Sequence, residues 1–132
     1  MVKNKQQQKL DLADRIAQVQ ERIESISKEI ENIQANCSVA KPTSSIVRFR
    51  AKGKGGAYWY YKWQSLQPIF VTKNGNPSRY KYIGKAGSQA FLEAVEMLRN
   101  RTSISALEQV LHTLELARLD LVEEATRINE RS

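Results

Sequence analysis

The chain has 132 residues, a net charge of +7 and one cysteine. That length suits a single domain-sized unit and excludes a catalytic domain joined to a separate regulatory one. One cysteine excludes a disulfide framework or a multi-cysteine metal site within the chain and fits a reducing compartment.

The N-terminal stretch MVKNKQQQKLDLADR is polar, without the apolar core of a signal peptide. Nowhere does a run approach the roughly 20 apolar residues of a membrane span, so a cytoplasmic protein without a membrane partner is expected. Beyond this stretch Leu12, Ile16, Val19, Ile23, Ile26, Ile30 and Ile33 recur at alternating steps of four and three, with Glu, Gln, Arg and Lys between them. This is a heptad seam, with Ile16, Ile23 and Ile30 at a and the other four at d, and it predicts a coiled-coil helix over 1–40. Cys37 continues the register at a, where a buried, inert thiol is expected. The seam needs a cover, which is either a second copy, with a dimer favoured, or an antiparallel helix further along the chain.

Lys41-Pro42-Thr43-Ser44 breaks that helix, and the apolar period changes from 3.6 to 2. Residues 38–87 carry ten Lys and Arg and no Asp or Glu, and nine of the ten aromatic residues. Strands are predicted at 46–51, 57–63, 68–73 and 79–83, joined by KGKGG, a short QSLQ segment and KNGNPS with its Asn-Gly turn, so that 41–87 forms an antiparallel meander of three or four strands. Pro68 places the third strand at an edge or at its own first residue. Alternation along each strand gives two faces. One is expected to collect Val47, Phe49, Ala51, Trp59, Tyr61, Trp63, Tyr80 and Tyr82 against the helices. The other is expected to present Ile46, Arg48, Arg50, Lys62, Arg79, Lys81 and Ile83 with Tyr58 and Tyr60. A sheet this small is not stable alone, so its apolar face must pack on the flanking segments.

In the remaining segment, 88–132, Ser88 is a helix cap for a run through Phe91, Leu92, Val95 and Leu98. The stretch RTSIS offers Thr102, Ser103 and Ser105 as caps for a further helix, with Glu108 completing a capping box. Its apolar stripe is Ile104, Leu107, Leu111, Leu114, Leu121 and Ile128. A helical segment packing on the first helix is expected, and the whole is an α+β fold.

The residue inventory speaks against catalysis. His112 is the only histidine, so no His pair, Cys/His cluster or Ser/His arrangement can form within one chain. Carboxylates are confined to the two flanks at helix-surface spacings. No enzyme, cofactor or metal is expected. The acid-free centre fits a polyanion instead, since each cation on such a surface gains from counterion release and tyrosines stack on bases or bond phosphates. Arg48, Arg50, Lys52, Lys54, Lys62, Lys73, Arg79, Lys81 and Lys85 are the candidate phosphate contacts, with Tyr58 and Tyr60 beside them. Backbone amides of the Gly-Lys loop are further candidates for a phosphate.

The segments GKGGAYWYYKW and NPSRYKYIGKA resemble a family of small bacterial proteins associated with mobile elements, in which a coiled-coil helix, a G-P-Y-W-Y-like strand, a K/R-Y-I/L-G-K strand and a C-terminal helix follow in that order. Ala57 stands where the family pattern has proline, and the cysteine cluster that many relatives carry before the glycine loop is absent, which removes a metal role by analogy. The same short strings are also similar to the three-stranded arm-binding domains of phage-type integrases, which lay a sheet into the DNA major groove. The expected function is therefore non-enzymatic nucleic-acid binding, with double-stranded DNA ahead of RNA, on a helical oligomerising scaffold. The alternative is a coiled-coil adaptor whose basic sheet meets an acidic protein.

Overall fold

The computed structural model describes residues 4–130. The fold is α+β: α1 (Lys5–Asn36), β1 (Ser45–Gly53), β2 (Gly56–Gln64), β3 (Phe70–Val71), β4 (Pro77–Ser78), β5 (Tyr80–Gly84) and α2 (Gln89–Glu130). Among the described residues two compact units result, one of residues 4–36 with 104–130 and one of residues 37–103. No helix among the described residues is long and apolar enough to cross a membrane.

The first unit pairs α1 with the second part of α2. Asn4 caps α1, its Oδ1 accepting from the Gln7 amide at 2.8 Å. Of the heptad seam, Leu12 and Ile30 are buried and Ile16, Val19, Ile23, Ile26 and Ile33 half-buried. On α2, Ile104 and Leu121 are buried and Leu107, Leu111, Leu114 and Ile128 half-buried. Arg15, near the start of α1, donates to both carboxylate oxygens of Glu124, near the end of α2, at 3.1 and 2.9 Å, which makes the pairing antiparallel. Cover for the seam is thus drawn from the same chain. Cys37 departs from expectation: α1 ends at Asn36 and the thiol is exposed, because the heptad register stops with the helix that carried it.

In the second unit the main sheet has three strands in the order β1-β2-β5, all antiparallel. The expected third strand is cut to Phe70–Val71, which pairs with Pro77–Ser78 in a separate small ladder. The Asn-Gly turn of this ladder forms as expected, with Thr72 N–H bonded to Asn76 O at 2.8 Å and Gly75 at φ 81°.

Register is where the sheet departs most from the sequence reading. Gly53 pairs with Gly56, so the hairpin loop is the two residues Lys54-Gly55, not the five of KGKGG. Positive φ at Gly55 (90°) and Gly56 (140°) closes this short turn without a Cβ penalty. Shortening the loop shifts the pairing by one, and in a period-2 structure a shift of one turns every side chain of a strand to the other face. Arg48 therefore stands opposite Tyr61 and Arg50 opposite Trp59, while Phe49 stands opposite Tyr60 and Val47 opposite Lys62. Alternation within each strand is as predicted. β2 keeps its expected side, with Tyr61 and Trp63 toward the core, whereas β1 and β5 are turned over. Ile46 and Ile83 face the core, contrary to expectation, and Phe49, Tyr80 and Tyr82 face out, the β2–β5 pairing having its own irregularity at Tyr61/Lys62.

One face of the sheet holds the core. Trp63 and Ile83 are buried there with Ala40, Phe70 and Ala94, and Ile46, Tyr61, Phe91, Met97 and Leu98 pack around them. The rings of Tyr61 and Phe91 meet at 4.7 Å. The chain between α1 and β1 is tied to α2 by polar contacts: Ala40 N–H to Met97 O at 3.0 Å, Asn100 Nδ2 to Ser38 O at 2.9 Å, and Arg101 to Lys41 O at 2.6 Å and Ser44 Oγ at 3.2 Å.

Helix α2 is continuous, so the expected break at RTSIS is absent. Ser88 does cap it, Oγ accepting from the Phe91 amide at 3.2 Å. Thr102, a candidate cap, instead donates its hydroxyl to Leu98 O one turn back at 3.0 Å, a bond that lets threonine sit inside a helix. Gly84, in the segment YIGK, explains its own presence: at φ 152° an added Cβ would lie 2.9 Å from Ser88 Oγ and disturb that cap.

Candidate nucleic-acid interface

The face of the sheet opposite the core carries Val47, Phe49, Ala51, Tyr58, Tyr60, Lys62, Gln64, Tyr80 and Tyr82, none of them buried. Phe49, Tyr60 and Tyr82 form a ladder across the three strands, with ring centroids 5.9 and 6.2 Å apart and planes tilted by 32° and 48°. Tyr82 is 62% exposed and Tyr80 43%. Two lysines lie over these rings. Lys62 Nζ is 4.9 Å from the Phe49 centroid and 4.3 Å from that of Tyr80, and Lys85 Nζ is 5.2 Å from Tyr58 and 5.9 Å from Tyr60. Each lysine thus makes cation–π contacts with two rings, which hold the ammonium near the face without neutralising it.

The hairpin tip adds a second group of cations. Tyr58 Oη donates to Lys54 O at 3.0 Å, and the Tyr58 ring lies against the backbone at Gly53, so the turn carrying Lys52 and Lys54 is held to the face. On the core side of the same tip, beyond the packed region, the Arg48 and Arg50 guanidiniums lie 4.3 and 5.0 Å from the Trp59 ring. Trp59 is 43% exposed, against 6% for Trp63 four residues on. The core covers one end of this face and leaves the other open.

Of the candidate residues, Tyr58, Tyr60, Lys62 and Lys85 come together on the outer face and Lys54 sits in the turn at its end, while Lys52, opposite Ala57, lies on the side of Arg50 and Trp59. Arg48 and Arg50 do not share that face, contrary to expectation, because of the register shift described above. Lys81 stands opposite Trp63 on the core side, with its side chain exposed. Arg79 has a structural bond, its Nε donating to the carbonyl of buried Ser65 at 3.2 Å, while its guanidinium lies 5.7 Å from the Tyr80 ring. Lys73 belongs to the turn of the small β3–β4 ladder. The sequence reading missed Phe49, Tyr80 and Tyr82 as rings of the outer face, Tyr80 and Tyr82 exposed and Phe49 half-buried. For Phe49 the signal was present in KGKGG, where glycines at 53, 55 and 56 permit a two-residue turn as well as a longer loop; for Tyr80 and Tyr82, set by the β2–β5 pairing with its irregularity at Tyr61/Lys62, no residue of the sequence marks the register.

His112 lies exposed on α2, and no group of three His, Cys, Asp or Glu side chains that could hold a metal ion occurs among the described residues. No family model matches the chain, and no curated protein or solved structure matches it either. Any functional reading therefore rests on the residues themselves.

Proposed function

We propose that the protein is a non-enzymatic nucleic-acid-binding module, working through the β1-β2-β5 sheet and its hairpin tip while the paired helices serve as scaffold. The observation that carries this reading is the outer face itself: five aromatic side chains and two lysines gathered on one open surface, within a segment holding ten cations and no carboxylate. Rings offer bases a stacking surface, and cations release counterions from the phosphates they meet. An acidic protein would use the lysines and leave the rings without a role. Because α1 finds its cover within the chain, a second copy is not required to bury the seam.

A mobility-shift comparison of duplex DNA, single-stranded DNA and RNA at several salt concentrations tests the reading. Binding that strengthens with probe length and weakens steeply with salt is expected. Weak binding without length dependence would overturn it in favour of an adaptor for an acidic protein.

A further inference from the structure

We infer that the ligand of the outer face is a single-stranded polynucleotide whose unstacked bases lie on the rings of Tyr58, Tyr60, Tyr80 and Tyr82. This rests on the nucleic-acid reading and names the form of nucleic acid bound. In a duplex the faces of the bases are covered by their neighbours at about 3.4 Å along each strand, and only base edges and phosphates are offered to a protein. An exposed ring face gains little from such a ligand. It gains most from a base that has left its stack, for which every base type presents a π face.

Three features of the face agree with that ligand. The Phe49–Tyr60–Tyr82 rings pack on one another at the ordinary spacing of tilted aromatic pairs, and beside them Tyr58, Tyr80 and Tyr82 keep exposed ring surface that a base can cover. Lys62 and Lys85 rest on the rings at 4.3–5.9 Å and hold positive charge where a backbone would run beside its bases. As a base takes the ring, the ammonium exchanges its π contact for a phosphate. Finally, the arginines that would serve a duplex on this face lie on the other side of the sheet, beside Trp59.

Fluorescence anisotropy with labelled oligo-thymidine and oligo-uridine strands of about 15 nucleotides, and with a duplex of the same length, decides the matter. Single strands are expected to bind more tightly than duplex at matched salt. Tyr82→Leu and Tyr80→Leu, at exposed positions where the melting temperature should hold, are expected to weaken single-strand binding roughly tenfold or more each. Tyr82→Phe, which keeps the ring and loses the hydroxyl, should retain the affinity. If both leucine variants bind single strands as the parent does, or if duplex binds more tightly and loses affinity only with Arg48→Ala and Arg50→Ala, the inference fails while nucleic-acid binding stands. If no probe binds, the nucleic-acid reading fails with it. Preference for uridine or for thymidine strands supports the inference either way, and a deoxyuridine strand then separates the 2′-hydroxyl from the thymine methyl as its cause.

Discussion

Trp59 and Trp63 point to the same side of the same strand, yet their surroundings give them different work. Trp63 is 6% exposed in the core with Ile83, Phe70 and Ala94, whereas Trp59 is 43% exposed with two guanidiniums for company. Sequence alternation alone makes the two equivalent, since it reports the side a residue faces and not how far the core reaches along that side. Trp63→Ala should cost about 3–5 kcal/mol, the usual loss for a buried aromatic truncated in a core. Trp59→Ala should cost about 1 kcal/mol, the value of an exposed cation–π contact, because little packing is removed. Urea unfolding of the two variants separates them, and equal losses would mean that the core extends to the hairpin tip.

The two kinds of element differed in how far the sequence revealed them. In α1 the pattern was decisive: Leu12, Ile16, Val19, Ile23, Ile26, Ile30 and Ile33 lie at one spacing and are all buried or half-buried. Seven positions held at one helical period leave no second solution. In the sheet, strand existence and alternation in β1, β2 and β5 were legible, but the pairing of strands was not, because it depends on whether the chain turns over two residues or five. Lys54-Gly55 settled that by the positive φ of Gly55 and Gly56, a choice among several glycines that no hydrophobic pattern encodes. The candidate site follows these pairings: the expectation holds for Lys62, Tyr58 and Tyr60 together, whereas the β1–β2 register takes Arg48 and Arg50 to the core side and the β2–β5 register, irregular at Tyr61/Lys62, brings Tyr80 and Tyr82 to the outer face. For the helices, Ile23→Asp should lower the melting temperature, since it sets an unpaired charge at a half-buried position of the seam. The melting temperature of the parent protein should not depend on protein concentration, as the seam is covered within the chain. A Tm that climbs with concentration would show that a second copy supplies part of the cover. At the ends of these helices the exposed Arg15–Glu124 pair sets a minor pH dependence: hydrogen bonding by Arg15 holds the Glu124 carboxyl below its ordinary value, so its small contribution is present above that value and is lost as pH falls through the lowered one.

Across the whole molecule, charge is separated along the chain instead of spread over it. Residues 1–37 are neutral, with six basic and six acidic side chains; residues 38–87 carry all ten central cations without an acid; residues 88–132 hold five basic against eight acidic residues. A polyanion attracted to this protein is drawn to the sheet and its hairpin, and the helical flanks add nothing to the attraction. Salt dependence measures where that charge acts, because each phosphate neutralised adds about 0.7 for a single strand, or about 0.9 for duplex DNA, to the slope of log affinity against log salt. Arg48 and Arg50 sit at the open end of the core side, held on Trp59, while Lys52 and Lys54 continue the cationic surface around the tip. If a bound strand leaves the ring face over this tip, Arg48→Ala with Arg50→Ala should flatten the single-strand slope by up to roughly 1.4, with the affinity at low salt falling more than that at high salt. Tyr82→Leu, by contrast, should lower affinity by the same factor at every salt concentration, since stacking displaces no counterion. Titrations of both variants between low and high salt therefore separate the two roles. A slope unchanged in the arginine pair would confine the strand to the outer face, with Lys62 and Lys85 as its phosphate contacts.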